Sequence, residues 1–384
     1  MSIESLTANW SYPTAIRFGA GRIRELSEAC ASLGITRPLF VTDAGLADLP
    51  IVATALDILN RAGLGRAVFS EVYPNPDELS LEKGLEVYLA GDHDGIVALG
   101  GGSALDLGKV IAFMSGQTRP VWDFEDVGDW WTRADPKGIA PIIAVPTTAG
   151  TGSEVGRAGI LTNSVGHVKK IIFHPKMLPS VVICDPELTV SLPPVITAGT
   201  GMDAFIHSFE AFCSPFYHPM SQGVALEGMR LVKENLLQAY TDGANLVARG
   251  HMMSAAAMGA VAFQKGLGGV HALSHPLGAV YNTPHGMTNA IALPTVLRFN
   301  RPAIEDRVKS LAAYLGIEGG FDGFYDWVIE FSLALDIPQK MSALGVDGEQ
   351  LDLLAKMAVE DPSASGNPIP LTVEITRKLY EELI

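Results

Sequence analysis

The sequence is short of charge and of cysteine. Only 18% of its 384 residues are charged, no Lys/Arg block occurs anywhere, and 27 basic side chains face 42 acidic ones. A chain with that balance repels a polyanion, which excludes nucleic acid as a partner. The three cysteines, Cys30, Cys184 and Cys213, are odd in number, far apart and without C-x-x-C spacing. They build neither a disulfide framework nor a zinc ribbon, and they fit a reducing compartment. The opening "MSIESLTANWSYPTAIRFG" lacks a basic start followed by an apolar run. No stretch of about 18 uninterrupted apolar residues occurs later either. The expectation is a cytoplasmic protein with no membrane partner. Low-complexity tracts and internal repeats are also missing.

What is there is apolar material, 48% of the chain, enough for large cores. Cores stop growing at roughly 250 to 300 residues, so two domains are expected. Up to about residue 185, β-rich runs ("RPLFVTDAG", "GRAVFSEV", "DGIVALGGGS", "IAPIIAVPTTAGTGSE", "SVVICDP") alternate with helical patterns such as "LPIVATALDILNRAGL" and "LSLEKGLEVYLAG". That alternation predicts a largely parallel sheet covered by helices. From Val195 onward the chain reads as successive helices rich in Ala, Met and Leu. The change falls between Cys184 and Pro194, giving an α/β domain over 1–186 and an all-α domain over 187–384.

Two strand exits are crowded with glycine. In "DGIVALGGGSALDLGKVIAF" a buried strand meets Gly100, Gly101 and Gly102, and then Ser103 as the N-cap of a helix. Glycines let a phosphate approach the backbone, and a helix start offers it free N–H groups. The spacing is neither G-x-G-x-x-G nor the Walker pattern, so a plain strand-to-helix turn is an equal reading of this segment alone. The second exit, "PTTAGTGSEVG", tilts the pair towards phosphate binding, because ligands of α/β sheets collect at the carboxyl ends of strands. Asp43 closes an earlier strand, where a carboxylate would accept hydrogen bonds from a ribose and repel a 2′-phosphate, favouring NAD over NADP. An Asp that caps the next turn explains it equally well.

In "TGMDAFIHSFEAF", Asp203 and His207 lie four residues apart, on one face of a helix. A divalent ion is the partner that gains most from a carboxylate beside an imidazole, although an intrahelical hydrogen bond is the better account of this pair taken alone. "GLGGVHALSHPLGAVYNTPHG" then concentrates His271, His275 and His285 among small and apolar residues. Coordination explains that cluster better than three unrelated core histidines do. The residues alone leave His271 and His275 both eligible as ligands.

"GTGMDAFIHSFEAF", "GGVHALSHPLGAVYNTPHG", "GGGSALDLGK" and "PTTAGTGSE" together resemble the signature segments of the iron-containing (group III) alcohol dehydrogenases, in the same order and from about Pro13 to the last helices. The resemblance implies a Rossmann-like α/β dinucleotide-binding domain followed by a helical metal-binding domain, and a homodimer. It implies that Asp203, His207, His271 and His285 bind the metal, with His275 unligated nearby. Gly100, Gly101, Gly102 and Ser103 would hold the pyrophosphate, Asp43 would sit near the adenosine ribose, and Thr147, Thr148 and Thr151 would line the cofactor. Lys170 would approach the nicotinamide ribose, with Lys169 as its rival.

Such a site predicts a metal-dependent, NAD-linked alcohol dehydrogenase or aldehyde reductase acting on a small primary alcohol. Fe2+ is the expected ion and Zn2+ a competent substitute, since one carboxylate and three imidazoles suit several first-row metals. The ion eases loss of the alcohol proton, and His275 is the candidate to relay that proton to solvent; orienting a ligand or bonding a phosphate or ribose is an equal reading of it. Arg157 and Lys265, next to the motifs, are candidate contacts for an anionic substrate such as a hydroxy acid or semialdehyde; surface or interface charges are the plainer account of both. The alternatives are a metal-dependent hydrolase and a polyol dehydrogenase of the same superfamily.

Overall fold

The computed structural model describes residues 8–10, 13–166 and 168–384, the first three by backbone alone. They fall into two compact units, one running to Thr148 and over Gly152–Val190, the other formed by Ala149–Thr151 with Ser191–Ile384.

The first unit is an α/β sheet with its helices. Its strands are β1 (Ala8–Trp10), β2 (Ala15–Phe18), β3 (Pro38–Asp43), β4 (Val68–Val72), β5 (Gly95–Gly100), β6 (Ile142–Pro146), β7 (Ala158–Asn163), β8 (Val168–Phe173) and β9 (Val181–Cys184). Seven of them form one sheet in the order β1-β2-β9-β6-β5-β3-β4, parallel throughout except for β1, which runs antiparallel along β2. The helices are α1 (Leu26–Ser32), α2 (Pro50–Arg61), α3 (Glu78–Ala90) and α4 (Gly102–Met114). Strands β5 and β6 are buried along their whole length, which is why they read as unbroken apolar runs. Val97, Leu99, Ile143, Val145 and Ile183 form the core against α1 and α2.

Parallel register aligns the ends of these strands. Thr42 lies beside Leu99, and Gly100 beside Pro146, so Asp43, the triple glycine and Thr147 leave the sheet at the same edge. Gly100 is glycine because Asp43 closes over it: a Cβ there would stand 2.2 Å from Asp43 Oδ2 and 2.7 Å from the Ala104 methyl. Helix α4 starts at Gly102 with Gly101 as its N-cap, so Ser103 lies inside the first turn and makes no capping bond, contrary to the expectation for it.

Strands β7 and β8 form a separate antiparallel hairpin, joined to the rest of the unit by single bridges from Thr162 to Asp77 and from Ile172 to Glu125. Their alternation is blurred by Lys169 and Lys170 and by partly buried positions on both faces, so periodicity does not announce them. Strands β1 and β2, of three and four residues, are too short to show a period.

The second unit holds eight α-helices and, among the described residues, no strand: α5 (Pro194–Cys213), α6 (Pro219–Thr241), α7 (Leu246–Ala262), α8 (Gly269–Tyr281), α9 (His285–Tyr314), α10 (Gly320–Ala334), α11 (Leu351–Glu360) and α12 (Val373–Leu383). Helix α5 is its axis, buried on all sides from Gly201 to Cys213 and packed against α6, α7 and α9. Asn282, with φ 53°, ends α8 in the left-handed region, and Pro284 precedes the first residue of α9, His285. This tight reversal lays α9 back against α5 at Gly286, whose Cβ would fall 2.3 Å from the Gly199 carbonyl oxygen. Leu246–Lys265 is long and apolar enough to cross a membrane, but 67% of that window is buried inside the protein, as in a core helix.

Candidate metal centre and glycine turns

Three helices deliver the centre. Asp203 and His207 stand one turn apart on α5, His271 comes from the first turn of α8, and His285 opens α9. One donor atom from each lies within 4.8 Å of all the others. Asp203 Oδ1 is 3.7 Å from His207 Nε2, 3.6 Å from His271 Nε2 and 3.5 Å from His285 Nε2. Donors bound at about 2.0–2.2 Å around a tetrahedral ion stand roughly 3.3–3.6 Å apart, so the set fits a small divalent cation with little adjustment. His275, also on α8, is outside the four: its ring stacks on His285 at 5.4 Å and meets His271 edge-on at 5.6 Å.

Asn289, one turn beyond His285 on α9, was not foreseen. Its amide nitrogen lies 2.8 Å from Asp203 Oδ1, 3.1 Å from His285 Nε2 and 3.2 Å from His271 Nε2. Three of the four donor atoms therefore lie around one amide nitrogen that has two N–H bonds to give, and Asn289 Oδ1 is buried with no hydrogen-bond partner among the described residues. Two carboxylates were missed as well. Glu210, three residues after His207 on α5, approaches His271 Nδ1 at 2.5 Å and accepts from Val270 N–H at 2.6 Å. Asp361 approaches His275 Nδ1 at 2.8 Å and accepts from the Ser363 N–H. Glu210 had a signal, since residues 203, 207 and 210 share one helix face. Asp361 had none, because "EDPSASGNPIPLT" reads as a connection and the residue is 86 positions from its histidine.

The carboxylates organise the charge. Burial by itself would raise the Asp203 carboxyl, but the charges of His207 and His285 and the hydrogen bond from His271 bring it well below the carboxylate range. Burial pushes His207 down to about 4. His271 moves the other way, to about 9: burial opposes its charge, but Glu210 and Asp203, on its two ring nitrogens, more than offset it. An anionic group of this kind, holding a proton on one imidazole, exchanges that proton for a cation.

In the first unit, Asp43 Oδ2 accepts from the Gly101 N–H at 2.8 Å. Burial raises the Asp43 carboxyl, and the N–H groups of Gly101 and Ala104 restrain it. Asp43 thus serves the start of α4 directly. The two glycine-rich turns meet where Thr147 N–H donates to the Gly100 carbonyl at 3.0 Å and where Thr148 packs against Gly101. Thr151 groups with the second unit. Lys170 is on β8, ion-paired with Glu125 at 2.6 Å, its ammonium 5.8 Å from the Trp122 ring centre.

The two cations considered for the substrate differ in their surroundings. Arg157 is exposed, its guanidinium 5.5 Å from the Phe173 ring centre. Lys265 is 2% exposed and donates to the Phe212 carbonyl at 3.1 Å, so it is no surface charge. Burial, aided by neighbouring Arg307, pushes its ammonium down to about 8. Arg307 bonds the carbonyls of Phe212, Cys213 and Ser214, and the two cations together close the C-terminal end of α5.

Residues 13–186 match the family model described as iron-containing alcohol dehydrogenase, and residues 197–384 match that of the Fe-containing alcohol dehydrogenase family, C-terminal. The chain is 38% identical to 4-hydroxybutyrate dehydrogenase of Cupriavidus necator, over 97% of this chain and 98% of that one. It resembles the crystal structure of a 1,3-propanediol oxidoreductase with TM-score 0.91 and 36% identity, over 96% and 97% of the two chains. It also resembles sulfoacetaldehyde reductase from Bifidobacterium kashiwanohense in complex with NAD+, with TM-score 0.86 and 31% identity, over 98% of each chain.

Proposed function

We propose that this chain, which belongs to the iron-containing alcohol dehydrogenase family, carries out its reaction at Asp203, His207, His271 and His285. Its activity is NAD-linked interconversion of a small alcohol and its aldehyde, with iron as the metal. A hydrolase is not favoured. The observation that carries the site assignment is the convergence of one carboxylate oxygen and three imidazole nitrogens within 4.8 Å, on a scaffold of three helices.

When bound, the metal supplies Lewis acidity that labilises the alcohol proton in one direction and polarises the carbonyl in the other. The protein's own groups do the rest. Glu210 holds the Nδ1 proton of His271 and leaves Nε2 for the ion. Asp361 holds the Nδ1 side of His275, so that Nε2 is the nitrogen left to exchange the substrate proton. Gly100, Gly101, Gly102 and Ser103 receive the pyrophosphate, with the N–H groups at the start of α4 as donors. Thr147, Thr148 and Thr151 line the dinucleotide.

For the substrate we propose a primary alcohol on a chain of three or four carbons with a second polar group at its far end. The reading is supported by what two relatives are named for, 4-hydroxybutyrate and 1,3-propanediol. The three cysteines are free and buried, in keeping with a reducing cytoplasm, and we propose a homodimer there. The test is the absorbance of NADH formed by iron-loaded protein with 1,3-propanediol, 4-hydroxybutyrate and butanol, beside a chelated control and Asp203→Ala. Loss of both iron and turnover in the variant is expected; a variant that keeps both overturns the assignment.

A further inference from the structure

Helix α4 carries, within two turns of the glycine turn, a buried lysine paired with a partly buried aspartate, neither of which the chemistry above uses. Lys109 is 1% exposed. Its ammonium has three N–H donors and finds three acceptors: the Ser153 carbonyl at 2.9 Å, Asp106 Oδ1 at 3.1 Å and the Ala158 carbonyl. Asp106 in turn accepts from the Ser153 hydroxyl at 2.5 Å and the Ile160 N–H at 3.1 Å. The segment leaving the second glycine-rich turn is therefore tied at several points to the helix whose start is the first.

We propose that Asp106 and Lys109 are positioning residues for the dinucleotide, a staple that fixes the Ser153–Ile160 segment to α4 and so sets the second turn against the first. The proposal rests on the reading that these turns hold NAD. At the front, the turns touch through the bond between Thr147 N–H and the Gly100 carbonyl. At the back, Gly159 lies flat on α4, where a Cβ would fall 2.5 Å from the Val110 side chain and 2.9 Å from the Asp106 carbonyl oxygen, and Asp106 and Lys109 add directed bonds to that packing. Apolar packing would stabilise a core as well as an ion pair does, but it leaves the register of the segment open; four directed bonds between the segment and α4 admit one arrangement. The chain pays for that geometry with a desolvated ammonium, and cofactor binding is the property that needs it.

The test measures the dissociation constant of NADH by fluorescence, alongside iron content and melting temperature, in iron-loaded full-length protein. The double variant Lys109→Met/Asp106→Asn removes both charges of the pair; buried Glu154 loses the nearby ammonium as well, and burial, which already raises its carboxyl to about 7, then favours its neutral form. It is expected to weaken NADH binding about tenfold or more, the scale for small misplacements of binding groups, with iron content unchanged. Ser153→Ala, which deletes a single bond of the staple, is expected to weaken it less and in the same direction. Gly101→Ala tests the underlying reading: a Cβ there meets the protein no closer than 3.5 Å, so the fold accepts it while the phosphate is obstructed. If Gly101→Ala weakens NADH binding and neither staple variant does, whatever their melting temperatures, the inference is overturned. If Gly101→Ala leaves binding intact, the location of the cofactor is overturned instead.

Discussion

Glu210 and His271 meet at 2.5 Å in a site where both are buried, and the carboxylate is held there by the Val270 N–H. That contact decides which nitrogen of His271 carries a proton. Replacing Glu210 with Gln should weaken metal binding about 10- to 100-fold, the cost of losing an outer carboxylate behind a ligand histidine. Competition with a chromophoric chelator measures it; an unchanged affinity would reduce Glu210 to a packing residue.

The same pair makes the metal-free protein sensitive to alkali. The folded-state value of His271, about 9, lies above the ordinary 6.5. A raised value of this kind adds stability that is complete below pH 6.5 and disappears as pH climbs through 9. Thermal melts of chelated protein should therefore fall across that window, by at most about 3 kcal/mol, whereas melts of loaded protein should not. Calorimetric titration in buffers of different ionisation enthalpy should show a proton released on loading below pH 9.

Asp43 supports the glycine turn and carries a negative charge beside it. Asp43→Ala removes the acceptor of the Gly101 N–H and the repulsion towards a 2′-phosphate together. Its kcat/KM ratio of NAD over NADP should drop about tenfold, equivalent to roughly 1.4 kcal/mol. Steady-state kinetics with the two cofactors read it directly.

His275 and Asp361 should behave as one unit in catalysis. Either His275→Ala or Asp361→Ala is expected to lower turnover by about 100-fold, in the range of general acid–base contributions. The double variant should be little slower than the worse single one. Additive losses in the cycle would separate their roles.

Lys265 should matter to stability and not to substrate choice. Lys265→Met leaves the Phe212 carbonyl without its bond to the ammonium, a loss of about 1–3 kcal/mol, visible as a lower melting temperature. The ratio of rates with 4-hydroxybutyrate and butanol should stay at the parent value.

Much of this was legible because it is local. Asp203 and His207 share a helix face by spacing, and the glycines of residues 100–102 end a strand whose apolar run is unmistakable. What escaped depends on contacts across the chain. Asp361 is tied to His275 only by the packing of the loop after α11 onto α8, and no periodicity encodes that. Asn289 repeats the four-residue spacing from His285, but an amide on a buried helix is ordinary until its neighbours are known. Lys265 reads as a substrate contact or a surface charge because it stands next to the histidine motif, yet Gly266, with φ 118°, turns the chain there and the ammonium reaches the Phe212 carbonyl at the end of α5.

The contact of Gly286 with the Gly199 carbonyl gives one methyl group leverage over iron that neither glycine ever touches. An alanine at 286 would wedge the first turn of α9 away from α5 and carry His285 out of reach of Asp203, with all four donor side chains intact. A search for inactivating changes confined to residues that bind the ion would pass over it.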